Sequence, residues 1–155
     1  MKRALLLICV LFSAIYVSAQ TFPKKADRII IETQQTNVES AMLQAAGKLL
    51  DEKIVIDVID YKLGYITTKV FNERSNLFQK FLLRFSSENG YIAITLSGQY
   101  IIGAYEKDET SLGWTHIDNS GMKGSFQQIA WNSLVAKAKT FGTISAGNQP
   151  EEISK

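Results

Sequence analysis

Apolar and polar residues alternate along this chain with two distinct periods. Between residues 54 and 97 the period is two. Ile54, Ile56 and Val58 share one side of their segment, and Ile66 and Val70 share one side of the next. Phe81, Leu83 and Phe85 repeat the pattern, followed by Ile92, Ile94 and Leu96. Such alternation marks strands with one face buried and the other in water. It predicts strands over 54–60, 65–71, 80–86 and 91–97. Gly64 supplies positive φ to the first hairpin turn, and Asn89-Gly90 is a strong turn signal for the second. Residues 99–105 continue after Gly98, either as another strand or as the same strand bent at a bulge. The β-branched run 27–33 reads as a first strand. The polar stretch 106–113 reads as a loop, and 114–117 as one more short strand.

On either side of this region the period lengthens to that of a helix. Val38, Ala41, Met42, Ala45, Ala46, Leu49 and Leu50 form one stripe, predicting an amphipathic helix over 38–52. Thr36 and Glu39 have the spacing of a capping box at its start. Gly47 costs this helix up to about 1 kcal/mol relative to Ala, which close packing on a sheet would explain. A second capping box, Ser125 to Gln128, precedes Phe126, Ile129, Ala130, Leu134, Ala138 and Phe141 on one helical face. Trp131 and Val135 widen that stripe, and Gly142 ends it. Residues 143–155, with Gly147, Pro150 and paired Glu, carry no period and read as a disordered tail.

The predicted class is α+β: an antiparallel sheet of five to six strands with two helices packed on one face. The helices cover the apolar face. The other face carries Asp57, Tyr65, Thr67, Lys69, Arg84, Tyr91 and Thr95, and no element is left to cover it. A polar face interleaved with aromatics is a candidate interaction surface, with Tyr65, Thr67, Lys69, Arg84, Tyr91 and Thr95 as its binding residues. The alternative is that these aromatics serve cross-strand pairing alone.

The first nineteen residues have a different character. Lys2 and Arg3 precede a run from 4 to 17 that is apolar apart from Ser13, and Val17-Ser18-Ala19 stands before Gln20. Basic start, apolar middle and small-residue end form a secretory signal peptide. A retained anchor needs about 20 apolar residues, more than this run holds. The expected organisation is a leader over 1–19, a linker over 20–26, one domain over 27–142 and a tail over 143–155. The protein is expected to be exported, to the periplasm or the cell exterior.

Composition narrows the chemistry. With 46% hydrophobic and 21% charged residues, the chain has the make-up of an ordinary globular domain. Cys9 is the single cysteine and lies in the leader, so the exported form has no disulfide and no thiolate chemistry. Gln20 stands where a lipoprotein needs cysteine, so no lipid anchor is expected. Losing Lys2 and Arg3 leaves fifteen basic and fifteen acidic residues. That balance lacks the positive excess that drives nucleic-acid binding or adsorption to anionic membranes.

The order strand, helix, several strands, helix resembles the TBP-like fold of small exported bacterial domains. The residues that carry the resemblance are Ala26-Asp-Arg-Ile-Ile-Ile31, Leu63-Gly-Tyr-Ile-Thr-Thr68 and Ala130-Trp131. They are similar also to the repeated domains of BamC-type lipoproteins of the outer-membrane assembly machinery. The chain differs from those in having no lipidated cysteine and one domain. The resemblance implies a fold and a binding habit, with no catalytic residues.

Candidate catalytic groups are sparse. His116 is the single imidazole, which excludes a multi-histidine metal site, and no Gly-x-Ser-x-Gly elbow occurs. Glu106, Asp108 and Glu109 lack the ligand spacing of known calcium loops and read as solvated charge. Asp57 and Asp60 are spaced to fall on opposite strand faces, against an acid–base pair. Gly121 to Gly124 could cradle an anion at the second helix's N-terminus, or serve as a flexible lead-in turn. No cofactor and no metal are expected. The leading expectation is a non-enzymatic interaction module of the cell envelope, binding an envelope or secreted protein. The alternative is a carrier holding a small apolar ligand between sheet and C-terminal helix. A hydrolase with an unrecognised site is the third reading.

Overall fold

In the computed structural model, residues 22–74, 76–103 and 113–145 are described. The elements are β1 (Arg28–Glu32), α1 (Val38–Asp51), β2 (Ile56–Asp60), β3 (Tyr65–Thr68), β4 (Phe71–Arg74), β5 (Leu77–Glu88), β6 (Tyr91–Ile102), β7 (Thr115–His116), α2 (Phe126–Phe141) and β8 (Thr143–Ile144). All strand pairs are antiparallel, in the order β2-β3-β5-β6-β1-β8, with β4 beside β5 and β7 beside β6. The α+β class with both helices on one sheet face is as the alternation predicts. The sheet has eight strands among the described residues, more than expected, because β4 and β8 are short pieces without a period of their own.

The β5–β6 hairpin is the spine of the sheet. Each strand is twelve residues long, and the register runs unbroken from Leu77↔Ile102 to Glu88↔Tyr91. Asn89 (φ 45°) and Gly90 (φ 88°) make the turn, as their sequence predicts. Of the two readings after Gly98, the single continuous strand holds, with no bulge. Gly98 has a steric reason instead. A Cβ there would lie 2.8 Å from Phe81 Cδ1 and 2.9 Å from Ile117 Cδ1.

The edge strands depart from simple alternation. A register shift between Ile56 and Val58 breaks the pattern, so Val58 leaves the buried side and Ile59 packs against the core instead. The expected strand 65–71 is interrupted at Lys69 and Val70. There the Lys69 amide donates to the Val55 carbonyl at 2.8 Å and the Phe81 amide donates to Thr68 Oγ1 at 2.9 Å.

Both helices are capped, but with corrections. Asn37, not Thr36, caps α1: its Oδ1 accepts from the Ser40 amide at 3.2 Å. Ser125 caps α2 by accepting from the Gln128 amide at 3.2 Å. The Gln128 side chain reaches past the cap residue to the Gly124 amide, at 3.0 Å. The C-terminal ends of the two helices are tied together. Lys48 Nζ donates to the Thr140 carbonyl at 2.5 Å, and Lys137 forms an ion pair with Glu52. A cation on the last carbonyls of a helix also opposes its dipole favourably.

Ile29, Ile31, Met42, Leu49, Ile66, Leu83, Ile94, Leu96 and Leu134 fill the layer between sheet and helices. Leu50 and Phe126, assigned to buried stripes by their spacing, are instead exposed. Gly47 is exposed as well, with open space where a Cβ would stand, so close packing does not account for it. The expected linker and tail are partly built into the fold. Phe22 packs on Trp131, and Asn119 Nδ2 donates to the carbonyls of Phe22 and Pro23 at 3.1 and 3.0 Å. Gly142 passes so close to β1 that a Cβ would meet the Glu32 carbonyl, and β8 then pairs with Ile31 and Glu32. The remainder of the tail, the leader and the acidic residues 106, 108 and 109 lie outside the described residues. Among the described residues no helix is long and apolar enough to cross a membrane.

Candidate functional site on the open sheet face

The antiparallel register sorts the polar face into rows that cross the sheet. Tyr65 stands opposite Arg84, Arg84 opposite Thr95, and Thr95 opposite Ile30. In the next row Thr67 faces Leu82, Leu82 faces Ser97, and Ser97 faces Arg28. In the third, Lys80 faces Gln99 and Gln99 faces His116. Residues directly opposite have Cα atoms about 4.5–5.5 Å apart, so each row brings its side chains together.

The second and third rows border a concavity of about 500 Å³. Asp57, Thr67, Lys69, Lys80, Ser97, Gln99 and His116 supply its polar walls, and Leu82 an apolar patch. Its shape follows from the edges. Strand pairing is interrupted between β3 and β4 at Lys69 and Val70, while on the other side of β6, β7 ends at His116 and β1 begins at Arg28.

Of the six residues expected to bind, Thr67 and Lys69 line this concavity. Tyr65, Arg84 and Thr95 form the adjoining row. Tyr91 shares the face but lies four residues beyond Thr95 on β6, about 13 Å along the strand, opposite Glu88. The structure therefore does not bring Tyr65 and Tyr91 together. Lys80, Leu82, Ser97, Gln99 and His116 were absent from the expected set. The signal for four of them was present: the alternation Arg84, Leu82, Lys80 on one strand and Thr95, Ser97, Gln99 on the next. Reading it required carrying β6 through Gly98. His116 joins through β7, and no local pattern announces that pairing.

Charge is uneven around the concavity. Among the described residues, Lys69, Lys80 and His116 contribute basic groups against the single carboxylate of Asp57. Among the described residues neither lysine has an ion-pair partner. Lys80 Nζ instead lies over the ring of Trp114, 4.3 Å from its centroid. A cation–π contact positions an ammonium without neutralising it. Beyond the concavity, Arg28 bonds to Asp27 at 2.9 Å and holds that carboxyl below its ordinary pKa.

The other candidates resolve into structure. Asp60 Oδ1 accepts from the amides of Lys62 and Leu63 at 2.9 and 2.8 Å, which fixes the β2–β3 turn. The turn at Gly121 folds over the N-terminus of α2, where a Cβ would lie 2.5 Å from the Gln128 nitrogen. Backbone therefore occupies the space an anion would need. Among the described residues no cluster of three or more His, Asp or Glu side chains is arranged to hold a metal. Phe81, Phe85, Trp131 and Leu134 are buried between sheet and α2. A groove of about 430 Å³ runs along the outside of α2 against β4, with Arg74, Ile129 and Ser133 in its walls.

The open face can form hydrogen bonds, attract negative charge and offer the ring of Tyr65 for contact. No protein-family model matches this chain, and no curated protein matches it.

Proposed function

We propose that this protein is an exported, non-enzymatic interaction module of the cell envelope that binds a partner protein through its open sheet face. The observation that carries the reading is the concave polar face across β3, β5, β6 and β7, opposite the face covered by the two helices. The leader pattern over 1–19 supports export, with the mature chain starting at Gln20. The order of strands and helices is compatible with the TBP-like resemblance, which supports a binding habit.

The test separates binding from folding. Tyr65→Ser combined with Arg84→Ser removes contact area and charge from the sheet face at little cost to the core. Leu43→Ser makes a comparable change on the exposed side of α1. The reading expects the first variant to lose capture of its envelope partner and the second to keep it, both remaining folded by circular dichroism. Equal capture by all three proteins would place the binding surface elsewhere. Intact mass of the exported form checks the leader, and a mass retaining residues 1–19 contradicts cleavage.

A further inference from the structure

We propose that the concavity is an anion-recognition site that takes an acidic segment of a partner polypeptide, an inference that rests on the open-face reading above. The argument starts from charge. The exported chain is balanced, with fifteen basic and fifteen acidic residues, so a local cationic cluster is not a by-product of overall composition. Lys69 and Lys80 reach the concavity from β3's end and from β5, and His116 closes it from β7. Asp57 is the one carboxylate in the wall among the described residues.

The two lysines are not consumed by the fold. Neither Lys69 nor Lys80 has an acidic partner among the described residues, although two other basic side chains, Arg28 and Lys137, do. Lys80 is placed by the Trp114 ring, which leaves its charge available. Thr67, Ser97 and Gln99 add neutral hydrogen-bond donors between the charges. A carboxylate accepts up to about four hydrogen bonds, and ammonium, hydroxyl and amide donors match that demand.

The occupant is a peptide because the positive surface continues beyond the concavity. The adjoining row adds Arg84, exposed and without an ion pair among the described residues, with Tyr65 opposite it. A chain with successive acidic side chains can engage Lys80, Lys69 and Arg84 together. Lys80 and Arg84 lie four residues apart on β5, about 13 Å along the strand, a span a small free anion cannot bridge.

Binding of an acetylated hexaglutamate peptide to the purified protein, followed by amide NMR shifts, tests this. The peptide is expected to shift Thr67, Lys80, Gln99 and His116. Lys69→Gln and Lys80→Gln should each weaken it about tenfold, the scale of one charge-assisted hydrogen bond. Lys139→Gln, on the helix side, should not. Raising the salt concentration should weaken binding further. Absence of binding, shifts confined to other surfaces, or unaltered affinity in both lysine variants would overturn the proposal. Citrate binding as tightly as the peptide would overturn the assignment to a polypeptide. If hexaglutamate fails while the Tyr65 and Arg84 variant still loses its envelope partner, anion recognition falls and the open-face reading stands.

Discussion

The ring of Phe22 meets the indole of Trp131 edge-on, with centroids 5.3 Å apart and planes at 86°. This contact fastens the segment ahead of β1 to the middle of α2, and Asn119 reinforces it through the Phe22 and Pro23 carbonyls. Trp131 is 3% exposed, so its removal leaves a cavity that the rigid sheet cannot close. Trp131→Ala is expected to cost about 3–5 kcal/mol, a large part of an ordinary domain's stability. The Phe22–Trp131 coupling, isolated by a double-mutant cycle, should be about 0.5–1.5 kcal/mol. Denaturant midpoints measure both, and an unchanged midpoint for Trp131→Ala would contradict its place in the core.

Gly47 should respond in the opposite direction. It lies inside α1, and among the described residues nothing outside the helix's own backbone lies within 4 Å of the position its Cβ would take. Its cost to the helix is therefore uncompensated within the chain. Gly47→Ala is expected to raise stability by about 0.5–1 kcal/mol, through helix propensity and a less flexible unfolded state. Thermal melts check this, and destabilisation would mean that α1 is distorted at this position.

The contrast between Gly47 and Gly98 shows what a sequence reveals of this fold. Alternation located β5, β6 and the buried face, because one-sided burial forces a period of two. Helical stripes located α1 and α2 for the same reason. The local pattern places Gly47 in a helix and Gly98 at the end of a strand without saying what surrounds either, and one is open while the other is pressed between Phe81 and Ile117. That difference arises from long-range packing. The bulge that turns Val58 outward and the pairing of β8 with β1 are likewise tertiary. At the candidate site, Thr67 and Lys69 were legible by alternation, whereas the Lys80–Gln99–His116 row exists only once three strands are in register.

Tyr100 makes stability depend on alkaline pH. Burial pushes its phenol above the ordinary value, and the charge of Asp118 adds to the shift. A folded-state pKa raised above the unfolded one gives stability that is intact below the unfolded pKa of about 10. That stability is lost as pH rises through the higher folded value. Unfolding midpoints should therefore fall above pH 10, and Tyr100→Phe should make the fall shallower. Parallel pH profiles for the two proteins would refute this assignment.

Gln79 is a polar side chain in an apolar layer. It occupies the buried side of β5 between Leu77 and Phe81 and is 0% exposed. Among the described residues neither its Oε1 nor its Nε2 has a hydrogen-bond partner. Phe71 and Tyr100 are its register neighbours on β4 and β6. An unsatisfied buried amide costs about 1–3 kcal/mol, because the desolvation it undergoes on folding is not offset. Methionine has similar length and volume and no strong hydrogen-bonding requirement, so it should fill the same space without that cost. Gln79→Met is expected to stabilise the protein by about 1–2 kcal/mol. Gln79→Ala is the control: it also removes the amide, but leaves a cavity whose cost opposes the gain. Urea midpoints with an unchanged m-value measure both effects. The methionine variant should lie above wild type and the alanine variant well below the methionine one. A methionine midpoint below wild type would show that the amide is satisfied in solution and that Gln79 contributes to the fold rather than weakening it.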